Sequence, residues 1–140
     1  MKFDPIFKQE NHSLVKIDSG EIYPCSKIQI LDVLWSQIEP TTEEYDEDFL
    51  AKLRLELKEY EQEAEKYLVI RPVAADKASL LQDAAIREQY VAAVKHCVRR
   101  LKDCTAIIGL FVPKEFSDEE EINYFMEEIY PKHKHYVFFA

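Results

Sequence analysis

Glycine is nearly absent from this chain, which has only Gly20 and Gly109 among its 140 residues. The phosphate-binding P-loop, the G-x-G-x-x-G dinucleotide loop and the G-x-S-x-G nucleophile elbow all need two or more glycines close together in sequence. The chain contains none of these motifs. The usual nucleotide-binding sites, and the serine hydrolases with that elbow, are therefore excluded.

Cysteine and long apolar runs are scarce as well. Cys25, Cys97 and Cys104 are an odd number, and their spacing fits neither a C-x-x-C redox pair nor a zinc ribbon. We expect reduced structural thiols, which is the usual state of cysteine in cytoplasmic proteins. The sequence shows no secretory leader and no run of about 18 apolar residues, so we expect a cytoplasmic protein without membrane contact.

Basic residues are outnumbered, with 18 Lys and Arg against 27 Asp and Glu and a formal net charge of −9. Nucleic acid is not an expected partner, because binding phosphates requires a basic surface. The acidic residues cluster at 43–48, 59–65 and 118–128. These clusters are either solvated helix faces or an acidic surface that attracts a basic protein partner.

Size and composition are those of an ordinary globular protein. Hydrophobic residues make up 47% and charged residues 32% of the chain, and a chain of this length buries about two thirds of its unfolded surface. We expect one α/β domain over residues 1–140, with an N-terminal hairpin or cap over 1–26 and a core over 27–140. Within the cap, residues 1–13 look irregular, and Asp18-Ser-Gly20 is a turn signal between two short strands.

The core alternates apolar runs with amphipathic segments. Runs at 27–34, 67–73, 105–112 and 134–139 predict strands covered on both faces. The segments between them predict three helices, and the expected N-terminal caps are Asp46 for the first, Asp76 or Ser79 for the second and Ser117 with Glu120 for the third. The order βαβαβαβ predicts a parallel sheet with three crossover helices.

Several polar side chains fall where the predicted strands end. Because the carboxyl ends of parallel strands share one edge, Asp32, Trp35, Arg71 and Glu115 are expected along a common rim. Stacking on Trp35 and bidentate contacts from Arg71 suit a polyhydroxylated ligand. Glu39 and Lys114 are further candidate ligand-binding residues. Structural interpretations stand beside these: Asp32 pairs with Arg71 or caps a loop, Trp35 belongs to the core, and Glu39 and Glu115 are solvated loop residues.

His133 and His135 form an H-x-H pair that is capable of binding a metal from one face of a strand. No third ligand is identifiable, so the pair is interpreted as surface histidines beside Lys132 and Lys134. We expect neither a metal nor a cofactor.

The segment WSQIEPTTEEYDEDFL at 35–50, directly after an apolar run, resembles a known family. In the retaining, cellulase-like glycoside hydrolases built on (β/α)8 barrels, W-x-x-I/L-E-P followed by G-x-Y-D-x-x-x-L links the second strand to its helix. Residues 67–72 are similar to the third strand, and 106–115 to the fourth, which in the family ends in Asn-Glu-Pro. The resemblance covers about 27–139, or strands two to five.

The resemblance implies a partial barrel, with an open three-layer sandwich as the alternative. Glu115 falls at the position of the family's general acid/base. Lys114 stands where an Asn would contact a sugar hydroxyl, and Phe116 replaces the Pro. A retaining glycosidase needs a second carboxylate about 5 to 5.5 Å away, which this family carries on a seventh strand. The similar region ends at the fifth strand and so lacks this second carboxylate. The leading hypothesis is therefore a carbohydrate-binding module without a complete catalytic pair.

Other interpretations remain open. An open half-barrel exposes strand edges and an apolar face, which predicts self-association as a homodimer or a covering N-terminal segment. The chain is alternatively a small acidic interaction protein of the inhibitor or immunity type, or a fragment of a longer glycoside hydrolase.

Overall fold

The structure, a computed structural model, describes residues 5–10, 13–24, 28–62 and 66–139. Cys25 lies outside the described residues. A small antiparallel sheet has the order β1-β2-β3, and a larger parallel sheet has the order β4-β5-β6-β7. The strands are β1 Phe7–Glu10, β2 Ser13–Lys16, β3 Ile22–Tyr23, β4 Gln29–Leu34, β5 Leu68–Val73, β6 Ile107–Phe111 and β7 Val137–Phe139.

Within the described ranges, four α-helices connect the parallel strands. They are α1 Trp35–Ile38, α2 Glu47–Glu59, α3 Ala84–Arg100 and α4 Glu119–Ile129, with short 3-10 segments at Tyr60–Gln62, Ala75–Gln82 and Tyr130–Lys132. The predicted α/β fold is confirmed, including the four parallel strands and their crossover helices. Residues 35–38 add one short helix to a segment predicted as loop.

The parallel sheet is covered differently on its two faces. Since side chains alternate along a strand, Leu68 and Ile70 of β5 pack into the core formed with the helices. Val69 between them packs against Phe7 and Leu14 of the antiparallel sheet. All three β5 residues are buried, and this two-sided burial explains the continuous apolar run in the sequence.

The N-terminal hairpin is confirmed, and it has a third strand. The prediction of irregular structure over 1–13 is wrong for Phe7–Glu10, which pairs antiparallel with β2. A single apolar residue in that strand provides no alternating pattern. The strand is held by tertiary packing instead, since the Phe7 ring lies edge-on to Tyr23 and Tyr67 at centroid distances of 5.1 and 5.0 Å.

The helix caps are confirmed in one case and shifted in two. Asp46 caps α2 as predicted, because its side chain accepts a hydrogen bond from the Phe49 N–H. The second helix begins later than predicted, with Asp83 as its cap, since the preceding residues form a 3-10 segment instead. In α4 the cap is Asp118, one residue after Ser117, and it accepts from the Glu120 N–H.

Gly109 is required by the close approach of β6 and β7. A Cβ at this position would overlap the backbone carbonyl oxygen of Val137, which is its pairing partner on β7. Gly20, by contrast, has open space around it and a φ of +74° in the turn between β2 and β3.

We predict that Gly109→Ala destabilises the fold by about 1–3 kcal/mol, because the two strands must separate to admit the methyl group. Gly20→Ala is the matched control, and its smaller cost of about 1 kcal/mol comes only from the left-handed backbone. Urea unfolding followed by circular dichroism measures both. A Gly109→Ala protein as stable as the Gly20→Ala protein would contradict the close approach of the strands.

Candidate functional site

An ion pair crosses the carboxyl end of the sheet. Asp32 and Arg71 are register partners on β4 and β5, so their side chains leave the same face. The Arg71 Nε donates to Asp32 Oδ1 at 2.5 Å and its Nη2 donates to Oδ2 at 3.0 Å. The two side chains are 46% and 49% exposed. The pairing expected from the sequence is therefore present, and it faces solvent.

Charge around this pair favours the ionised carboxylate. Hydrogen bonds from Arg71 are the main cause of a lowered pKa at Asp32, and the charges of Arg71 and Lys114 lower it further against a contribution from burial that raises it. Lys114 is exposed. Asp32, Arg71 and Lys114 are called the rim group below.

Two phenylalanines continue the same row across the sheet. The Arg71 guanidinium lies 5.9 Å from the ring centroid of Phe111 on β6. The Phe111 ring in turn lies 5.4 Å from that of Phe139 on β7, with 34° between the ring planes. Both phenylalanines are partly buried. One residue from each of the four parallel strands thus contributes to a row on the face opposite the helices.

Trp35 and Glu39 lie inside the protein, each with 4% of its surface exposed. The Trp35 Nε1 donates to Glu39 Oε1 at 2.7 Å, and the backbone N–H of Glu43 donates to Oε2 at 2.6 Å. The indole stacks on Tyr90 of α3, with ring centroids 4.9 Å apart, and the Lys77 Nζ lies 5.0 Å from its centroid. The interpretation of Trp35 as a core residue is confirmed, whereas that of Glu39 as a solvated loop residue is wrong.

Glu115 lies near Tyr90, close enough for its charge to act on the Tyr90 hydroxyl. One of its carboxyl oxygens, Oε2, is enclosed and has no hydrogen-bond partner among the described residues, and the same is true of the Tyr90 hydroxyl. Burial raises the pKa of Tyr90, and the charge of Glu115 raises it further. Trp35, Glu39, Tyr90 and Glu115 are called the enclosed group below.

The residues predicted for one rim are thus divided between two groups. The rim group is open to solvent, and its Asp32–Arg71 pair faces away from the helices. In the enclosed group, Trp35 is buried on the helix side against Tyr90 of α3. Sequence reasoning did not single out Tyr90, Phe111 or Phe139. Alternation of side chains along the predicted strands would have placed Phe111 and Phe139 on the same face as Arg71. No comparable signal in the sequence marks Tyr90, which is one of several buried residues of α3.

The interpretation of His133 as a surface histidine is wrong, because only 1% of the residue is exposed. Its ring stacks on Tyr136 at 4.9 Å. Burial lowers the pKa of His133 to about 4, and the charges of His135 and Lys102 contribute. In the part of the chain that the structure describes, no cluster of three or more His, Cys, Asp or Glu residues fits a metal ion.

Cys97 and Cys104 are buried free thiols, as expected for structural cysteines. Burial is the main cause that raises the pKa of Cys97 to about 12 and that of Cys104 to about 11. Both therefore remain protonated and unreactive at neutral pH. Among the described residues, no helix has the length and apolar character needed to cross a membrane.

The four parallel strands and the helices that connect them form a partial (β/α)8 barrel, and comparison with solved structures gives the same class of fold. No protein-family model matches the sequence, and no curated protein matches it. The fold does match crystal structures of GH5_18 glycoside hydrolases, so the resemblance to barrel glycoside hydrolases is confirmed at the level of the fold.

Two of these structures come from Bifidobacterium longum. The enzyme of subspecies longum ATCC 55813, in complex with Manβ1-4GlcNAc, matches with a TM-score of 0.55 and 13% identity over 75% of this chain and 31% of its own. The enzyme of subspecies infantis matches with a TM-score of 0.58 and 10% identity over 79% of this chain and 34% of its own. The chain spans about a third of the length of these proteins.

The buried His133 predicts a specific loss of stability in mild acid. The pKa falls from 6.5 to about 4 on folding, so the unfolded chain binds more protons between these values. The contribution of His133 to stability is therefore greatest above about pH 6.5, and it falls as the pH decreases toward 4, by up to about 3 kcal/mol. We expect His133→Asn, which remains neutral, to lose less stability over this range.

Urea unfolding at pH 7.5 and pH 5 measures this difference. His135, whose pKa is also lowered by burial and by Lys102, is present in both proteins, so the difference between them reports the titration of His133 together with its interaction with His135. An equal acid-induced loss in the wild type and in His133→Asn would show that His133 does not titrate as a buried group.

Proposed function

We propose that the chain binds a carbohydrate, or a similarly polyhydroxylated ligand, at the rim group and does not hydrolyse it. The observation that carries the proposal is the half-exposed bidentate Asp32–Arg71 pair at the carboxyl end of the parallel sheet. Ligands of parallel α/β folds bind at that end of the strands.

The chemistry of the rim group suits vicinal hydroxyls. Each oxygen of Asp32 accepts one hydrogen bond from Arg71 and keeps a lone pair for a sugar hydroxyl, while Arg71 and Lys114 retain N–H donors. The partly exposed rings of Phe111 and Phe139 supply apolar surface beside these polar groups. The GH5_18 enzyme crystallised with Manβ1-4GlcNAc makes this disaccharide a suitable first probe.

The environments of Asp32 and Glu115 do not suit the two carboxyl groups that glycoside hydrolysis needs. A retaining glycosidase needs one carboxyl group that donates a proton and a second one about 5 to 5.5 Å away as nucleophile. Asp32 is held ionised by Arg71, which makes it a poor acid. Glu115, the counterpart of the family's acid/base by resemblance, has one oxygen enclosed in the protein.

We predict that Asp32→Asn and Arg71→Gln each weaken binding of Manβ1-4GlcNAc about tenfold or more, since a hydrogen bond to a charged group contributes about 1.5–3 kcal/mol. NMR titration of the labelled protein measures the affinity. Both variants should remain folded, because an exposed ion pair contributes only about 0–1 kcal/mol.

Lys95→Gln is the matched control. It removes a comparably exposed ion pair, Lys95 to Glu128 at 3.1 Å, between α3 and α4, and it should leave binding unchanged. If the disaccharide and other oligosaccharides cause no shifts at the rim residues of the wild type, the proposed ligand class is wrong.

We predict that the wild type releases no nitrophenol from aryl β-glycosides, and that Glu115→Gln binds sugar as the wild type does. A continuous absorbance assay measures release, and the NMR titration measures binding. Hydrolysis by the wild type that disappears in Glu115→Gln would overturn the non-catalytic part of the proposal while leaving the binding site in place.

A further inference from the structure

A groove opens between α3 and α4 on the helix side of the protein, away from the rim group. It encloses about 310 Å³, which is near the lower limit of about 300 Å³ for small-molecule pockets. Val91 and Phe116 form its floor and are 2% and 5% exposed. The other lining residues are Ala84, Arg87, Glu88, Asp118, Glu120, Glu121 and Tyr124.

The charge of the groove is strongly negative. Four carboxylates line it against one guanidinium, that of Arg87. Asp118 is engaged as the cap of α4, and Glu121 lies 3.6 Å from Arg87. Glu88 and Glu120 have no ion pair among the described residues, so two carboxylates remain available to a cation.

The groove already holds one guanidinium of the chain itself. Besides approaching Glu121, Arg87 donates from Nη1 to the carbonyl oxygens of Leu81 and Gln82 at 2.9 and 3.0 Å. The side chain is 26% exposed. The lining of the groove therefore already binds one guanidinium, through a carboxylate and two backbone carbonyl oxygens.

An exposed aromatic ring completes the groove. Tyr124 is 38% exposed, and after burial the charges of Glu128 and Glu88 raise its pKa, which places both carboxylates near the ring. An aromatic face beside carboxylates attracts a cation both electrostatically and through the ring quadrupole. The groove thus combines an apolar floor, an exposed aromatic ring at its edge and carboxylates without an ion pair to any other described residue. This combination suits an arginine that is flanked by apolar residues.

We propose that the α3–α4 groove is the docking site for a basic segment of a protein partner, which inserts an arginine between Glu88, Glu120 and Tyr124 and lays apolar neighbours on the floor. Charge complementarity with a chain of net charge −9 carries the choice of partner. The groove shares no residue with the rim group, so the two proposals succeed or fail separately.

The probe is a labelled peptide of alternating leucine and arginine, whose affinity is measured by fluorescence anisotropy at low and high salt. The double variant Glu88→Gln, Glu120→Gln should weaken binding about tenfold. The control Glu56→Gln, Glu59→Gln changes the net charge equally at exposed positions of α2 and should weaken it less than about twofold. Added salt should weaken binding to the wild type.

The aromatic contribution has its own matched pair. Tyr124→Ala should weaken peptide binding severalfold, whereas Tyr130→Ala, at a ring that is 45% exposed, should not. Equal weakening by groove and control variants would reduce the interaction to general attraction by an acidic chain and overturn the proposal. Absence of peptide binding at low salt would overturn it too, as would N-acetylarginine amide binding as tightly as the peptide.

Discussion

The unequal covering of the parallel sheet is the constraint on which the other features depend. Helices pack on one face, and the three-stranded antiparallel sheet covers only part of the other. On β5, Val69 lies under the small sheet and is 1% exposed, whereas Arg71, two residues later on the same face, is 46% exposed. Where this covering ends, charged side chains on the sheet remain hydrated and carry little desolvation cost. The rim group lies at that point.

The loop that resembles the glycosidase motif has a structural task in this protein. A buried carboxylate is destabilising unless hydrogen bonds compensate it, and Glu39 has them from an indole and a backbone N–H. These bonds connect α1 to Glu43, whose φ of 65° is strained for a residue with a side chain. Tyr45 then stacks on His96 of α3 at 4.2 Å. The loop is thus packed against the helices, and the buried Trp35 ring is not available for stacking on a ligand.

The sequence allowed prediction of those features that depend on local pattern. Apolar runs located all four parallel strands, and the position of Asp32 and Arg71 near two strand ends was enough to predict their pairing. The sequence did not allow prediction of β1, because its single apolar residue, Phe7, forms no local pattern. Phe7 is held by a tertiary contact with Tyr67. The burial of His133 could not be predicted either, because the neighbouring lysines indicate a surface position. The burial comes from packing of the ring on Tyr136.

The small sheet also limits how this half-barrel can associate. In a closed barrel the face of the strands opposite the helices becomes the packed interior. Here Phe7 and Tyr23 occupy that face and contact Tyr67 at 5.0 and 5.8 Å. A second copy that completed a barrel would have to displace these rings from Val69 and Val137. A covering N-terminal segment and a barrel-completing dimer are therefore competing ways to bury the same surface, and the described residues adopt the first.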